Sequence, residues 1–273
     1  MSVQVNRRAV LAGLLLAGAA TAGAPIPPGP GGRALADVRA LWGDEAVVVR
    51  GTSSLVAGHR APAGLLGDLA RRADLAGRRV SAVLRRPVRP VVLVPASTAA
   101  AARLAGVASV DGLAAVADGG RTIVVPEFFA RLTPTGRDVV LTHELTHVAA
   151  GTGGLPVWLY EGFADYVAYR DAGLPVGVAA AELAAEVRAG RLPLALPGPA
   201  DFGLRAGGTR LARAYQEAWL ACRFLAERSG EETLVRLYGE AQTGGVERAL
   251  ASLGLSTGML TERWRDYVRE QLA

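Results

Sequence analysis

The 273-residue chain has no lysine and a single cysteine, Cys222. A lone cysteine excludes a disulfide framework within the chain, and with it zinc or iron–sulfur sites built from several thiolates. All 30 basic residues are arginine, against 25 acidic ones, for a formal net charge of +5. The arginines are scattered, never run beyond a pair, and only 5% of residues are aromatic. A nucleic-acid footprint needs a clustered basic patch with interleaved aromatics, so nucleic acid is not expected as a partner. Histidine is nearly as scarce: His59, His143 and His147 are the whole supply for imidazole chemistry. The apolar content of 51% is too high for a disordered chain, and the length suffices for a full core.

A long hydrophobic run is also lacking. The one extended apolar stretch, Ala9 to about Ala24, falls short of the roughly 20 residues a spanning helix needs and is diluted by Gly and Ala. It follows the pair Arg7-Arg8, and together they resemble a secretory signal of the twin-arginine type. Ala20-Thr21-Ala22 and Ala34-Leu35-Ala36 offer small-residue cleavage sites, and Pro25 to Gly32 reads as a linker. The expectation is a signal and linker over residues 1–36, export to the cell envelope or beyond, and no stable membrane insertion after cleavage. Removal through Ala36 takes Arg7, Arg8 and Arg33 with it and lowers the net charge to +2.

From residue 37 the pattern is globular, and residues 37–273 are expected to form one functional domain. Strands are predicted at Ala46–Arg50, Val91–Val94, Leu113–Ala117 and Thr122–Val125, and helices at Ala63–Ala76 and Ser97–Leu104. After Thr133 the pattern turns helical. Helices are predicted at Thr135–Ala149, Val157–Asp171, Gly177–Ala189, Arg210–Arg228, Glu231–Gln242, Val246–Leu253 and Thr257–Gln271. Between them, Leu192–Gly208 is Pro/Gly-rich and reads as irregular. The fold class expected is α+β: an α/β part to about residue 150, then a helical part from about 151.

The chemistry is concentrated in His143-Glu144-Leu145-Thr146-His147. Thr133 can cap the surrounding helix, Pro134 suits its first turn, and Gly151 onward ends it. Positions i and i+4 share a helix face, so His143 and His147 can aim two imidazoles at one point. Neutral imidazole is a good zinc ligand. Glu144 lies beside them, placed to act on a water there. A catalytic zinc needs a third protein ligand and an open fourth position. Glu161 follows His147 by fourteen positions, across a glycine-rich turn that lets the next helix fold back. Asp165 lies one turn beyond Glu161 and can hydrogen-bond the outer ring nitrogen of a ligating histidine. The remaining singled-out residues read as structural: His59 as a surface histidine, Cys222 as a buried thiol, and Trp158, Trp219 and Trp264 as core or cleft wall.

On these residues the sequence resembles the gluzincins, zinc metallopeptidases whose third ligand is a glutamate. His-Glu-Leu-Thr-His followed by Glu-x-x-x-Asp is similar to thermolysin-type peptidases. The overall impression resembles the peptidase MA-like group of exported bacterial proteins, with weaker flanking matches from about Val91 to Val268. That resemblance implies a zincin-like fold, with a small mixed sheet above the zinc helix and a helical lower subdomain. It also implies a Zn2+ cofactor on His143, His147 and Glu161, with Glu144 as general base. The expected activity is hydrolysis of a peptide or protein substrate, as an endopeptidase. The Gly-x-Met-Glu-Asn segment by which zinc aminopeptidases hold a free amine has no counterpart here. Stabilisation of the oxyanion is expected from Tyr215, whose helix resembles the family's later tyrosine-bearing helix, with Tyr160, Tyr166 and Arg210 as rivals. Two other readings stand beside the peptidase: a zinc-binding envelope scaffold or pseudopeptidase without turnover, and an amidase acting on cell-wall peptide.

Overall fold

Short apolar runs, β-branched in Ala46–Arg50 and Val91–Val94, organise the first part of the chain. In the computed structural model, which describes residues 30–203 and 207–273, strands β1 (Ala46–Arg50), β2 (Leu55–His59) and β3 (Val91–Val94) join β4 (Ala115–Asp118) and β5 (Arg121–Val124). They form one mixed sheet in the order β1-β2-β3-β5-β4. β2, β3 and β5 run parallel, while β1 and β4 close the two edges antiparallel. The register sets Leu55 beside Val91, Val92 beside Thr122 and Val116 beside Ile123. Leu55, Ala57, Leu93, Val116 and Ile123 therefore share one face, where they enter a core cluster with Val38, Ala101, Val110 and Leu113. Arg7, Arg8 and Ala20-Thr21-Ala22 lie outside the described residues.

Helices cover both faces. α1 (Pro30–Trp42) sends the buried Val38 into that cluster, with Ala34 and Trp42 packed against it. The Pro/Gly stretch read as a linker thus passes into a helix at Pro30, a tolerated first-turn residue. Ala34-Leu35-Ala36 lies inside this helix. The other face takes α2 (Ala63–Leu84), which packs on β1 to β3. It approaches so closely that a Cβ on Gly58 of β2 would lie 2.9 Å from Leu66 Cδ2. Two short helices follow: α3 (Thr98–Leu104), capped by Ser97, and α4 (Pro126–Phe129).

α5 (Pro134–Ala150) packs along α2 and on β4 and β5. Two arginines of or next to α2 tie it down. Arg72 donates to Pro134 O at 3.0 Å and to Asp138 Oδ1 at 2.6 Å, at the start of α5. Arg86 donates to Ala149 O at the other end, where a cation also suits the helix dipole. Asp74 of α2 fixes the β1–β2 turn by accepting from Thr52 N at 2.7 Å and Ser53 N at 2.9 Å.

By contact density the chain divides after Gly151. The unit that begins at Thr152 is helical among its described residues: α6 (Val157–Arg170), α7 (Val176–Ala179), α8 (Ala181–Arg188), α9 (Gly208–Ser229), α10 (Glu231–Gly244), α11 (Val246–Ala251) and α12 (Thr257–Leu272). The helix read over Gly177–Ala189 is broken at Ala180, whose backbone leaves the helical region (φ −109°, ψ 41°). Gln216 of α9 caps the second piece, accepting from Leu183 N at 2.8 Å. α6 and α9 form the central pair, and Trp158, Trp219 and Trp264 are all buried. Among the described residues of the connection from Ala189 to Gly207 lies one 3-10 turn, Pro199–Phe202. No described helix is long and apolar enough to cross a membrane. The fold class is α+β, as expected.

Candidate metal centre

α5 begins as its sequence dictates. The Thr133 hydroxyl accepts from Gly136 N at 3.1 Å, and Pro134 occupies the first turn. It ends at Gly151, whose N–H donates to His147 O at 2.9 Å with a positive φ of 73°. Thr142 and Thr146 satisfy their buried hydroxyls inside the helix, donating to Asp138 O and Thr142 O, each at 2.7 Å. His143 and Glu144 are buried at 1% and 4% exposure, and Leu141 and Leu145 face the core.

One turn apart, the two imidazoles converge. His143 Nε2 and His147 Nε2 lie 2.8 Å apart, the ring centroids 4.6 Å apart and the ring planes at 83°. Zinc–nitrogen bonds of about 2.0–2.1 Å in a tetrahedral site set two nitrogens about 3.3 Å apart. The pair is close to that spacing already. α6 contributes Glu161, 4% exposed. One ligand atom from each of His143, His147 and Glu161 lies within 4.8 Å of the others. Two neutral nitrogens and one carboxylate make a donor set suited to a divalent metal of zinc type, so these residues fit the group expected of them.

α6 also carries Asp165, 4% exposed, one turn beyond Glu161. Its charge is felt by the buried Cys222 thiol, which burial and that carboxylate push well above the usual value. Tyr160 precedes Glu161 and is half-buried; burial and the Glu161 charge push its phenol up to about 12, so it stays a proton donor. Tyr238 of α10 was not singled out in the sequence. It is 4% exposed, its ring lies 4.4 Å from that of Phe163, and burial raises its phenol far above the usual value. Cys222, Glu161 and Tyr160 raise it further, which sets Tyr238 in the electrostatic neighbourhood of Glu161. No local pattern separates it from a packing tyrosine, since Leu234, Tyr238 and Ala241 share one buried helix face.

The expected oxyanion donors differ in what holds them. Tyr215 of α9 is 1% exposed, with its ring edge-on to Phe202 at 5.0 Å. The Tyr166 hydroxyl donates a hydrogen bond to Glu231 Oε2 at 2.8 Å. Arg210 is committed to Glu217, at 2.8 and 2.7 Å, and to Asp201, at 2.9 Å. His59 stands apart from the centre, bonded to Glu45 at 2.7 Å and stacked on Trp42 at 5.7 Å. Comparison of the chain with models of known protein families, and with curated proteins, returns no match.

Proposed function

We propose that this chain is an exported zinc-dependent metallopeptidase of zincin-like fold, acting on peptide or protein substrates as an endopeptidase. The observation that carries this reading is the donor set itself: ligand atoms of His143, His147 and Glu161 within 4.8 Å of one another, on side chains that are largely buried. Three protein ligands leave a fourth tetrahedral position for water or substrate, the mark of a catalytic rather than a structural site. Zinc, when held there, supplies Lewis acidity that polarises a carbonyl and acidifies water.

The protein's own part is proton transfer and orientation. Glu144 neighbours His143 on α5 but is not one of the three ligands. Its carboxylate accepts a proton from the water that attacks the scissile carbonyl and delivers it to the leaving amine nitrogen. Asp165, buried one turn beyond Glu161, serves as the carboxylate that orients a ligating histidine. A phenol donates to the developing oxyanion; Tyr215 is the first choice and Tyr160 the second, since Tyr166 and Arg210 are engaged elsewhere. The test is zinc content of the purified protein alongside hydrolysis of a broad peptide library. Stoichiometric zinc with cleavage supports the reading; a protein that takes up no zinc contradicts it.

A further inference from the structure

We propose that Gly162 is a positioning residue for the metal centre: its missing side chain lets α6 sit against α9 at the depth that places Glu161. The proposal rests on the metal reading above. A helix-interior glycine is disfavoured relative to alanine, so its place in the middle of α6 calls for a reason. The packing supplies one. A Cβ added at Gly162 would lie 2.2 Å from Ala218 O, 2.6 Å from Ala218 C and 3.0 Å from Cys222 Sγ. The first two are backbone atoms of α9 and cannot rotate away.

The seam is closed along its length. Cys222 donates its S–H to Leu159 O at 3.7 Å, one turn before Gly162. The rings of Tyr169 and Trp219 meet at 5.0 Å near the other end of α6. Relieving the clash therefore means parting the α6 and α9 backbones at Gly162. To reach even 3.0 Å from Ala218 O, the Gly162 position must part from α9 by at least about 0.8 Å. Glu161 shares a peptide bond with Gly162 and travels with it. Metal–ligand distances hold to about ±0.2 Å, so the shift is several times what coordination tolerates. Glu161 is 4% exposed, which leaves its side chain little room to compensate.

The test measures Zn2+ affinity of the full chain by competition with a chromophoric chelator, and the absorption of the Co2+-loaded protein, which reports ligand number. Gly162→Ala should weaken Zn2+ binding at least about tenfold and alter the Co2+ spectrum. Two controls separate positioning from stability. Leu234→Ala removes a fully buried side chain of α10, and should lower Tm while keeping parental affinity. Gly239→Ala adds a Cβ with nothing within 4 Å, and should keep affinity as well. If Gly162→Ala does not fold, Cys222→Val presses on the same seam more gently and should lower affinity in the same direction. Parental affinity in Gly162→Ala, or in Cys222→Val where that variant carries the test, overturns the proposal. So does an affinity loss in Leu234→Ala that tracks its Tm. A parent chain that binds no Zn2+ removes the metal reading itself, a result distinct from a parent that binds and a variant that binds equally.

Discussion

His143 and His147 turn their Nε2 atoms toward one another, 2.8 Å apart, from adjacent turns of a helix whose ends are fixed by Thr133 and Gly151. Two neutral imidazoles at that distance can share only one proton, whereas a cation between them uses both lone pairs. If the centre holds zinc, the metal is also part of the fold's stability. Zinc at about 100 times its Kd should add about 2.7 kcal/mol. Chelation should then lower Tm in the parent, and His147→Ala should show no such response and little bound zinc. Full zinc occupancy in His147→Ala would show that the ligands are misassigned.

Asp165 is expected to act through a ligand rather than as one. Asp165→Asn should weaken zinc by about 10–100-fold, while kcat at saturating zinc stays within a few-fold of the parent. Chelator competition and steady-state kinetics at fixed free zinc measure both. An unchanged affinity would reduce Asp165 to a packing residue.

Asp74 gives the N-terminal unit an acid-sensitive clip. Burial raises its carboxyl, but hydrogen bonds from Ser53, Thr52 and Ser54 outweigh it and hold the group below its usual 3.8. A depressed folded-state pKa contributes stability that is present above the unfolded value and lost as pH falls through the folded one. Urea midpoints should therefore drop steeply below about pH 4. Asp74→Asn should cost about 1–3 kcal/mol at neutral pH and flatten that acid limb. Parallel pH profiles for the two proteins would contradict this assignment.

What the sequence made legible follows from where the signal is local. β3 is legible at its observed bounds because Val91–Val94 is an apolar, mostly β-branched run stopped by a proline. The helices that carry His143, His147 and Glu161 are legible to within a residue or so, the first because its two imidazoles are spaced by the helix repeat itself. β2 is not legible because Ala57 and Gly58 weaken a strand pattern; there the small residues serve the close approach of Leu66 from α2, a non-local reason. The apolar pattern predicts α2 only to Ala76, because Arg78 and Arg79 interrupt it, yet Val80 and Val83 continue the buried face to Leu84. Tyr238 stayed invisible because its neighbourhood to Glu161 is made by a helix more than seventy residues downstream. The demand on Gly162 comes from the backbone of α9 and is likewise absent from its own helix.

The central claim is that a carboxylate outside the ligand set performs the proton transfer, and Glu144→Gln tests it most directly. The amide nearly keeps the shape of the carboxylate but cannot take a proton at neutral pH. Zinc content and peptide-library hydrolysis should be measured for the parent and the variant together. The account expects zinc to stay near one per chain in both, with the rate in Glu144→Gln lower by about 10²–10⁴-fold. A zinc-loaded Glu144→Gln as active as the parent, or a zinc-loaded parent that cleaves nothing in the library, would contradict it.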